Sequence, residues 1–292
     1  MGDLDPGLDL SLWSGWYKFG KTQGRQRLMS TAGSPPATQT IDGLQIEILT
    51  RGNGKPLLFL HPELGLDPAA AVVDRLASGA RLVAPSHPGF GRSEVTKSLT
   101  TVDDLAYFYL DLIEALDLRG AALVGVSFGA WIAAEIAIKS TARLSHLVLA
   151  DAVGIKVSDR ETRDIPDIFA MTDGQFAELA YADPAIGKID YTAKPEAELK
   201  IVARNREATA RYAWSPYLHD PKLKGRLHRI RIPTLVLWGD KDRLTAPDYG
   251  RAYAAAIPGA RFELIGACGH FPHIEQPEAF ARTVLGFIGG SK

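Results

Sequence analysis

The sequence predicts an α/β protein built on a mostly parallel, doubly wound sheet with helices on both faces. From about residue 39 onwards, short apolar runs alternate with longer stretches of helical character. The interior runs are apolar throughout, which is typical of parallel strands that are buried on both faces. One interval, between Gly154 and Arg231, lacks a buried strand and is too long for an irregular loop, so it predicts a helical insertion.

The strands are predicted at residues 45–49, 55–60, 81–85, 121–126, 147–150, 234–238 and 261–265. The first of them alternates apolar and polar residues, as an edge or antiparallel strand does. The helices are predicted near residues 67–76, 101–116, 130–138, 173–180, 196–214, 249–256 and 277–287. These elements divide the chain into an N-terminal arm and linker (1–37), a core (38–154 and 231–292) and a helical lid (155–230).

Composition excludes several classes of protein. The 292 residues are 46% hydrophobic and 23% charged, with a net charge of −1, so the chain has no basic footprint for nucleic acid or an anionic membrane. The single cysteine, Cys268, cannot form an internal disulfide, and no cysteine cluster predicts a metal site. No apolar stretch is long enough to span a bilayer. The first residues lack a secretory signal, so we expect a cytoplasmic protein. We also expect it to work without a cofactor or a metal.

The arm has a distinct composition of aromatic residues, at Trp13, Trp16, Tyr17 and Phe19, followed by basic residues. It is interpreted either as an amphipathic segment that contacts a membrane surface or partner, or as a helix or tail of the body.

The segment most informative about chemistry is Gly-Val-Ser-Phe-Gly at residues 125–129, between the predicted strand 121–126 and the predicted helix. A serine at such a strand–turn–helix junction is held in strained backbone at the carboxyl edge of the sheet. Glycine is required at Gly125 and Gly129 because a Cβ there would collide with the crossing strand and helix. Ser127 is therefore the candidate nucleophile.

A serine hydroxyl needs a base, and the base needs a group that orients it. Asp242 and His270 each follow a predicted strand, at the sheet edge where catalytic groups collect. Their order along the chain, serine then aspartate then histidine, is the order expected for this kind of site.

Asp240 and Asp151 are other candidates for the acid, and His273 is a neighbour of His270. Asp240 is interpreted as a turn residue that bonds its own backbone. Asp151, also at a strand end, is a further choice for the acid, with capping or a turn as its other interpretation. His273 is expected to stabilise the loop or the start of a helix.

From about residue 38 to residue 287, the chain resembles the α/β-hydrolase superfamily, with a helical lid inserted after the sixth strand. The residues that carry the resemblance are 88–93, 125–129, 239–242 and 269–278. The last of these segments resembles lid-bearing members such as carboxylesterases, enol-lactonases, cofactor-free haloperoxidases and carbon–carbon bond hydrolases of ring-cleavage products. The resemblance implies that Ser127 is the nucleophile, Asp242 the acid and His270 the base.

The resemblance also implies an oxyanion hole of two backbone N–H groups, from Phe128 and Glu63. This chain has Pro62 where the family usually has glycine, which departs from the pattern. Proline lacks an N–H group, but the resemblance places the donor at the next residue, Glu63. We expect the Glu63 side chain to point away from the site, because a carboxylate there would repel an anionic substrate.

Three functions follow from these residues. The first is hydrolysis of esters or lactones of small to medium apolar substrates through an acyl-enzyme. The second is hydrolysis of a carbon–carbon bond in a vinylogous diketone; relatives with that activity often carry asparagine before the nucleophile, where this chain has Val126, and a lid arginine. The third is a non-catalytic ligand-binding protein with the same fold. A small molecule is the expected partner in each case, and a homodimer is left open.

The lid arginines Arg204, Arg206 and Arg211 lie on one predicted helix. They either grip a substrate carboxylate or form a solvated face paired with Glu198 and Glu207.

Overall fold

The structure is a computed structural model that describes residues 35–66, 70–159 and 161–290. The arm falls largely outside these residues. The eight strands of the sheet are β1 (Ala37–Ile41), β2 (Leu44–Arg51), β3 (Pro56–Leu60), β4 (Arg81–Pro85), β5 (Ala121–Val126), β6 (Leu144–Ala150), β7 (Thr234–Gly239) and β8 (Arg261–Ile265). They are arranged in the order β1-β2-β4-β3-β5-β6-β7-β8. β3 to β8 pair in parallel, and β1 and β2 add an antiparallel edge, which confirms the predicted sheet.

The helices are α1 (Ala70–Ala77), α2 (Val102–Ala115), α3 (Phe128–Lys139), α4 (Asp173–Ala180), α5 (Glu196–Ala213), α6 (Leu223–Arg226), α7 (Pro247–Ala256), α8 (Pro272–Glu275) and α9 (Pro277–Ile288). One apolar core lies between the sheet and α2, α3 and α7, and includes Tyr109 and Tyr253. A second core lies on the opposite face against α1 and α9, and includes Leu76 and Phe280. Helices therefore cover both faces, as the sequence predicts.

Helix α2 shows how local sequence sets a boundary. The Thr101 side chain accepts the Asp104 N–H, and the Asp104 carboxylate accepts the Thr101 N–H. This reciprocal cap satisfies two backbone donors that a helix start leaves without intrahelical partners. The observed start matches the predicted one.

Residues 155–230 lie between β6 and β7 and contain α4, α5, α6 and two short 3₁₀ turns. In the described part of this interval no strand forms, apart from one isolated bridge between Gly154 and His219. The observed insertion is thus helical and follows the sixth strand.

The sequence analysis missed β1, α6 and α8. β1 is a polar edge strand (Ala-Thr-Gln-Thr-Ile) that follows no buried-strand pattern, and it forms because the Asp42–Gly43 turn returns it onto β2. α6 and α8 have four residues each, too few for a periodic signal. Among the described helices, none combines the length and the hydropathy needed to cross a bilayer.

Candidate active site

Ser127 occupies a strained turn between β5 and α3. Its φ of 50° and ψ of −115° lie where non-glycine residues are uncommon. A Cβ on Gly125 would lie 2.4 Å from the Gly129 carbonyl oxygen, and one on Gly129 would lie 2.2 Å from the Leu60 carbonyl oxygen. Both contacts are shorter than van der Waals packing permits, so both glycines are required for this turn. The turn places the serine at the carboxyl edge of the central strand.

The three residues predicted from the motifs come together at this edge. His270 Nε2 lies 2.8 Å from Ser127 Oγ, and His270 Nδ1 lies 2.8 Å from Asp242 Oδ2. The side chains of His270 and Asp242 are fully buried, and Ser127 is 1% exposed. The imidazole can therefore accept the serine proton at Nε2 while Nδ1–H donates to the carboxylate.

The Asp242 carboxyl group accepts four hydrogen bonds. Its Oδ1 accepts the backbone N–H groups of Leu244 at 2.8 Å and Thr245 at 3.0 Å. Its Oδ2 accepts the Thr245 hydroxyl at 2.6 Å in addition to His270. Four donors favour the ionised form of a buried carboxyl group. The sequence analysis missed Thr245, although its position three residues after an aspartate is typical of a local turn.

Asp240 and Asp151 take other positions. Asp240 Oδ1 accepts the Cys268 N–H at 3.2 Å, so this side chain joins two loops and does not bond its own turn as expected. Asp151 is fully buried at the end of β6, and its Oδ1 accepts the Gly239 N–H at 2.8 Å.

Charge around the imidazole governs its basicity. Burial by itself lowers the pKa of His270, but the charge and hydrogen bond of Asp242, with the charges of Glu63 and Glu275, raise that pKa above its ordinary value overall. A base with a raised pKa binds its proton more firmly, so the neutral form that accepts the serine proton requires a higher pH.

The loop after β3 is closed by hydrogen bonds despite Pro62. The Pro62 carbonyl accepts the Gly65 N–H at 3.0 Å and lies 2.7 Å from His61 Nδ1. His61 Nε2 accepts the His87 N–H at 3.0 Å, which fixes Nδ1 as the donor. Among the described residues, neither the Glu63 nor the Phe128 N–H donates to a protein acceptor. Both groups are thus available to a ligand.

The Glu63 side chain is partly buried. Its Oε2 atom is buried and has no hydrogen-bond partner among the described residues. Its charge acts on His270 and, in addition to burial, helps to raise the pKa of Tyr181 and of Tyr217, which reaches about 12. The carboxyl group therefore lies near enough to His270 to influence its pKa, while the direction in which it points stays a prediction.

The predicted arginines on α5 are engaged by the protein. Arg204 donates to the backbone carbonyls of Gly89, at 3.0 Å, and Ser93. The other two form ion pairs, Arg206 with Asp173 and Arg211 with Glu207. Glu198 pairs with Lys194 rather than with an arginine.

Two parts of the insertion are bonded to the loops of the site. On α5, Asn205 Nδ2 donates to the Leu64 carbonyl at 2.9 Å, and Asn205 Oδ1 accepts the Gly91 N–H at 2.9 Å. At the end of α4, the Ala180 carbonyl accepts the His270 N–H at 2.7 Å. Glu275 spans the same junction by accepting the N–H groups of Ala182 and Gly269, each at 2.8 Å. The sequence analysis missed these contacts, because they join segments distant along the chain.

Within the described chain, one group of His, Cys, Asp and Glu side chains is close enough to share a cation. It consists of Asp151, Asp242 and His270. Since the facing atoms of Asp242 and His270 already bond each other, we assign these two residues to proton transfer, and we assign no metal to the group.

Comparison with known proteins identifies the family of the chain. Residues 57–283 match the model of the alpha/beta hydrolase family. A 2-hydroxymuconate semialdehyde hydrolase of Pseudomonas putida is 25% identical over 269 residues, covering 84% of this chain and 91% of that protein. A 2-hydroxy-6-oxo-2,4-heptadienoate hydrolase from strain F1 of the same species is 28% identical over 274 residues, with 84% and 93% covered.

Solved structures show the same fold. A meta-cleavage product hydrolase of Pseudomonas fluorescens IP01 superposes with a TM-score of 0.71 at 19% identity, covering 88% of this chain and 98% of that one. An esterase of Thermogutta terrifontis gives a TM-score of 0.66 at 23% identity, with 88% and 99% covered. At these identities the likeness concerns the fold alone.

Proposed function

This chain belongs to the alpha/beta hydrolase family, and from that premise we propose that it is a serine hydrolase acting on a carbon–carbon bond of a vinylogous diketone. The observation that carries the nucleophilic mechanism is the hydrogen-bonded series from Ser127 through His270 to Asp242, which starts at a strained turn. The series pairs a hydroxyl with a buried base, and the base with an ionised orienting group.

In the proposed reaction, His270 Nε2 takes the Ser127 proton as Oγ attacks the ketone carbon. The N–H groups of Phe128 and Glu63 bind the oxyanion of the tetrahedral intermediate. The carbon–carbon bond then breaks, its electron pair passes into the conjugated carbonyl system, and His270 protonates the departing carbon. Water deprotonated by the same imidazole hydrolyses the acyl-enzyme. One water is added across one carbon–carbon bond, which yields an acid and a ketone.

The choice of bond is supported by the relatives. Both curated hydrolases described above are named for 2-hydroxy-dienoate or semialdehyde substrates. They support carbon–carbon cleavage better than the ester cleavage that the sequence analysis placed first.

Ester or lactone hydrolysis is the second candidate, and features of the site favour it. Val126 stands where carbon–carbon hydrolases often have asparagine, and Arg204 is already bonded to two backbone carbonyls. The Glu63 carboxylate, whose Oε2 has no hydrogen-bond partner in the described part of the chain, disfavours a substrate carboxylate beside the loop after β3. On either reaction, the substrate group next to Glu63 is neutral or a hydrogen-bond donor, such as an enol hydroxyl.

We extend the proposal to the organisation of the chain: residues 155–230 act as a lid over Ser127, on the core formed by 38–154 and 231–292. The contacts of Asn205 and Ala180 with the loops of the site support this role. A cytoplasmic location and a homodimer remain predictions.

The first test is the intact mass of the protein after incubation with a fluorophosphonate. Wild type is expected to gain a single adduct, and Ser127→Ala none. Because removal of a triad nucleophile typically costs about 10⁴-fold or more, turnover by Ser127→Ala should fall below detection. A folded wild-type protein that takes no adduct would contradict the proposal and favour the ligand-binding alternative.

The second test identifies the bond. The value of kcat/KM is compared for a 2-hydroxy-6-oxo-dienoate, a p-nitrophenyl ester and a lactone. We expect the dienoate to give the highest value, and an ester or lactone in first place would replace carbon–carbon cleavage by the second candidate.

A further inference from the structure

A second carboxyl group lies beside the acid of the site. One carboxylate oxygen of Asp151, one of Asp242 and one ring nitrogen of His270 lie within 4.8 Å of one another. All three residues are buried, with Asp151 and His270 at 0% exposure and Asp242 at 3%. Two ionised carboxylates this close and away from water repel each other strongly, so such a pair retains one proton.

The hydrogen bonds decide which carboxyl group carries that proton. Asp242 accepts four hydrogen bonds, two from backbone N–H groups, one from the Thr245 hydroxyl and one from His270. Asp151 accepts one, from the Gly239 N–H to Oδ1, and its Oδ2 has no partner among the described residues. Donors stabilise the ionised form, and an unpartnered buried oxygen is suited to an O–H group.

We propose that Asp151 and Asp242 form one proton-sharing pair, in which Asp151 is a neutral carboxylic acid that donates from Oδ2 to the Asp242 carboxylate. Asp151 is then a positioning residue, since it acts on His270 through Asp242. If Asp242 loses its charge, the single negative charge of the pair moves to Asp151, which then supports His270.

The other groups around Asp151 are consistent with a neutral state. Burial, and then the charge of Asp242, raise the pKa of Asp151 well above its ordinary value, and the charge of Glu275 adds to this. Burial also raises the pKa of the neighbouring Cys268 thiol, so that group is uncharged as well. His270 is the cation of the group when protonated, and its Nδ1 bonds Asp242.

The experiment compares Asp151→Asn, Asp242→Asn and the double variant by the rate constant for inactivation by a fluorophosphonate. Asparagine at 151 keeps an acceptor for Gly239 and a donor for Asp242, so its rate should stay within about threefold of wild type. Asp242→Asn should react far more slowly. The double variant should be slower again than Asp242→Asn, by roughly tenfold or more in the inactivation rate constant. An Asp151→Asn variant as slow as Asp242→Asn, or a double variant no slower than Asp242→Asn, would overturn the proposal.

A second readout does not depend on reaction at the serine. A raised pKa in the folded state means that wild type loses stability as pH rises from the unfolded pKa of Asp151 through its folded value. Asp151→Asn has no such loss, so its unfolding free energy relative to wild type should increase between pH 4 and pH 8. Asp240→Asn, in the loop after β7, is the matched control for loss of a carboxyl group near the site.

Wild type itself gives a third measurement. Its infrared spectrum at pH 7 should retain the carbonyl band of a protonated carboxyl group, and absence of that band would overturn the proposal without any variant. If wild type takes no adduct but the stability trend and the band are present, the proposed serine chemistry fails while the proton-sharing pair stands.

Discussion

Two aspartates that are two residues apart in the loop after β7 face different groups. Asp242 Oδ2 contacts His270, whereas Asp240 Oδ1 contacts the Cys268 backbone. We expect Asp242→Asn to lower kcat by at least about 100-fold, because the imidazole loses its orienting charge, and Asp240→Asn to lower it less than about fivefold. Steady-state kinetics on the best substrate check this, and equal effects would show that the acid is misassigned.

The charge of Glu63 gives the second prediction at this scale. Activity should rise with pH through a limb above 6.5, the ordinary pKa of histidine, because the pKa of His270 is raised. Glu63→Gln removes one source of that increase, so the limb should move to lower pH. The same variant should also raise kcat/KM for a carboxylate substrate relative to a neutral analogue.

Glu207→Gln is the control for this experiment, because its side chain is 74% exposed on α5. A limb that stays in place in Glu63→Gln, with unchanged selectivity, would mean that the carboxylate does not act on the site.

A local motif was sufficient to predict which residues lie together at the site, and their catalytic roles stay predictions. Ser127, Asp242 and His270 each stand at a fixed place relative to a strand end, and they lie together in the structure. The orientation of Glu63 and the contact of Thr245 with Asp242 depend on what packs around each side chain, which a single sequence does not specify.

At the scale of elements, the contact between α5 and the loop after β3 is expected to affect both the stability of the protein and its activity. Asn205 is 5% exposed and joins Leu64 to Gly91 through one donor and one acceptor. Asn205→Ala leaves both backbone groups without these bonds, which should cost about 1–3 kcal/mol of unfolding free energy. Loss of the bond to Leu64 also releases the residue next to Glu63, so kcat should fall by roughly tenfold.

Arg211→Ala, on the same helix, serves as the control, because its ion pair with Glu207 lies at the surface and contributes little. Chemical denaturation and kcat are measured for both variants. Equal changes in stability and kcat in the two variants would show that α5 does not support the loop after β3.

Elements were predictable to the extent that they are buried and periodic. The predicted strand ends of β4, β5 and β8 coincide with those observed. Each of these strands pairs in parallel with at least one neighbour, and β4 and β5 are buried over most of their length. β1 and α8 lack such a signal, since β1 is polar and α8 has four residues. Long-range contacts, such as that of α4 with the His270 loop, leave no periodic trace in the sequence.

At the scale of the whole molecule, buried histidines link stability to pH. Burial lowers the pKa of His61 to about 4 and of His273 to about 3, and lowers that of His87 well below its ordinary value. The unfolded chain takes up these three protons near 6.5, whereas the folded chain does not. Asp151 acts in the opposite sense by one proton, because its raised pKa keeps it protonated in the folded chain over a pH range in which it is ionised in the unfolded chain. The balance favours unfolding as pH falls from 6.5 towards 4.

The contribution of one of these protons can be measured separately at His273. It is fully buried, and neither ring nitrogen has a hydrogen-bond partner among the described residues. Its ring contacts Phe59, Phe271 and Phe280. His273→Leu therefore removes a buried polar group without breaking a hydrogen bond, and should raise the unfolding free energy at pH 5 while flattening its pH dependence by about one proton.

Denaturant titrations from pH 7 to pH 4.5 measure both effects. His146→Leu is the control, since this histidine is only half-buried. A loss of stability in His273→Leu at every pH would show that the imidazole has a hydrogen-bonding role in the folded protein. A gain confined to acidic pH would show that the buried neutral histidine at position 273 helps to set the acid limit of the fold.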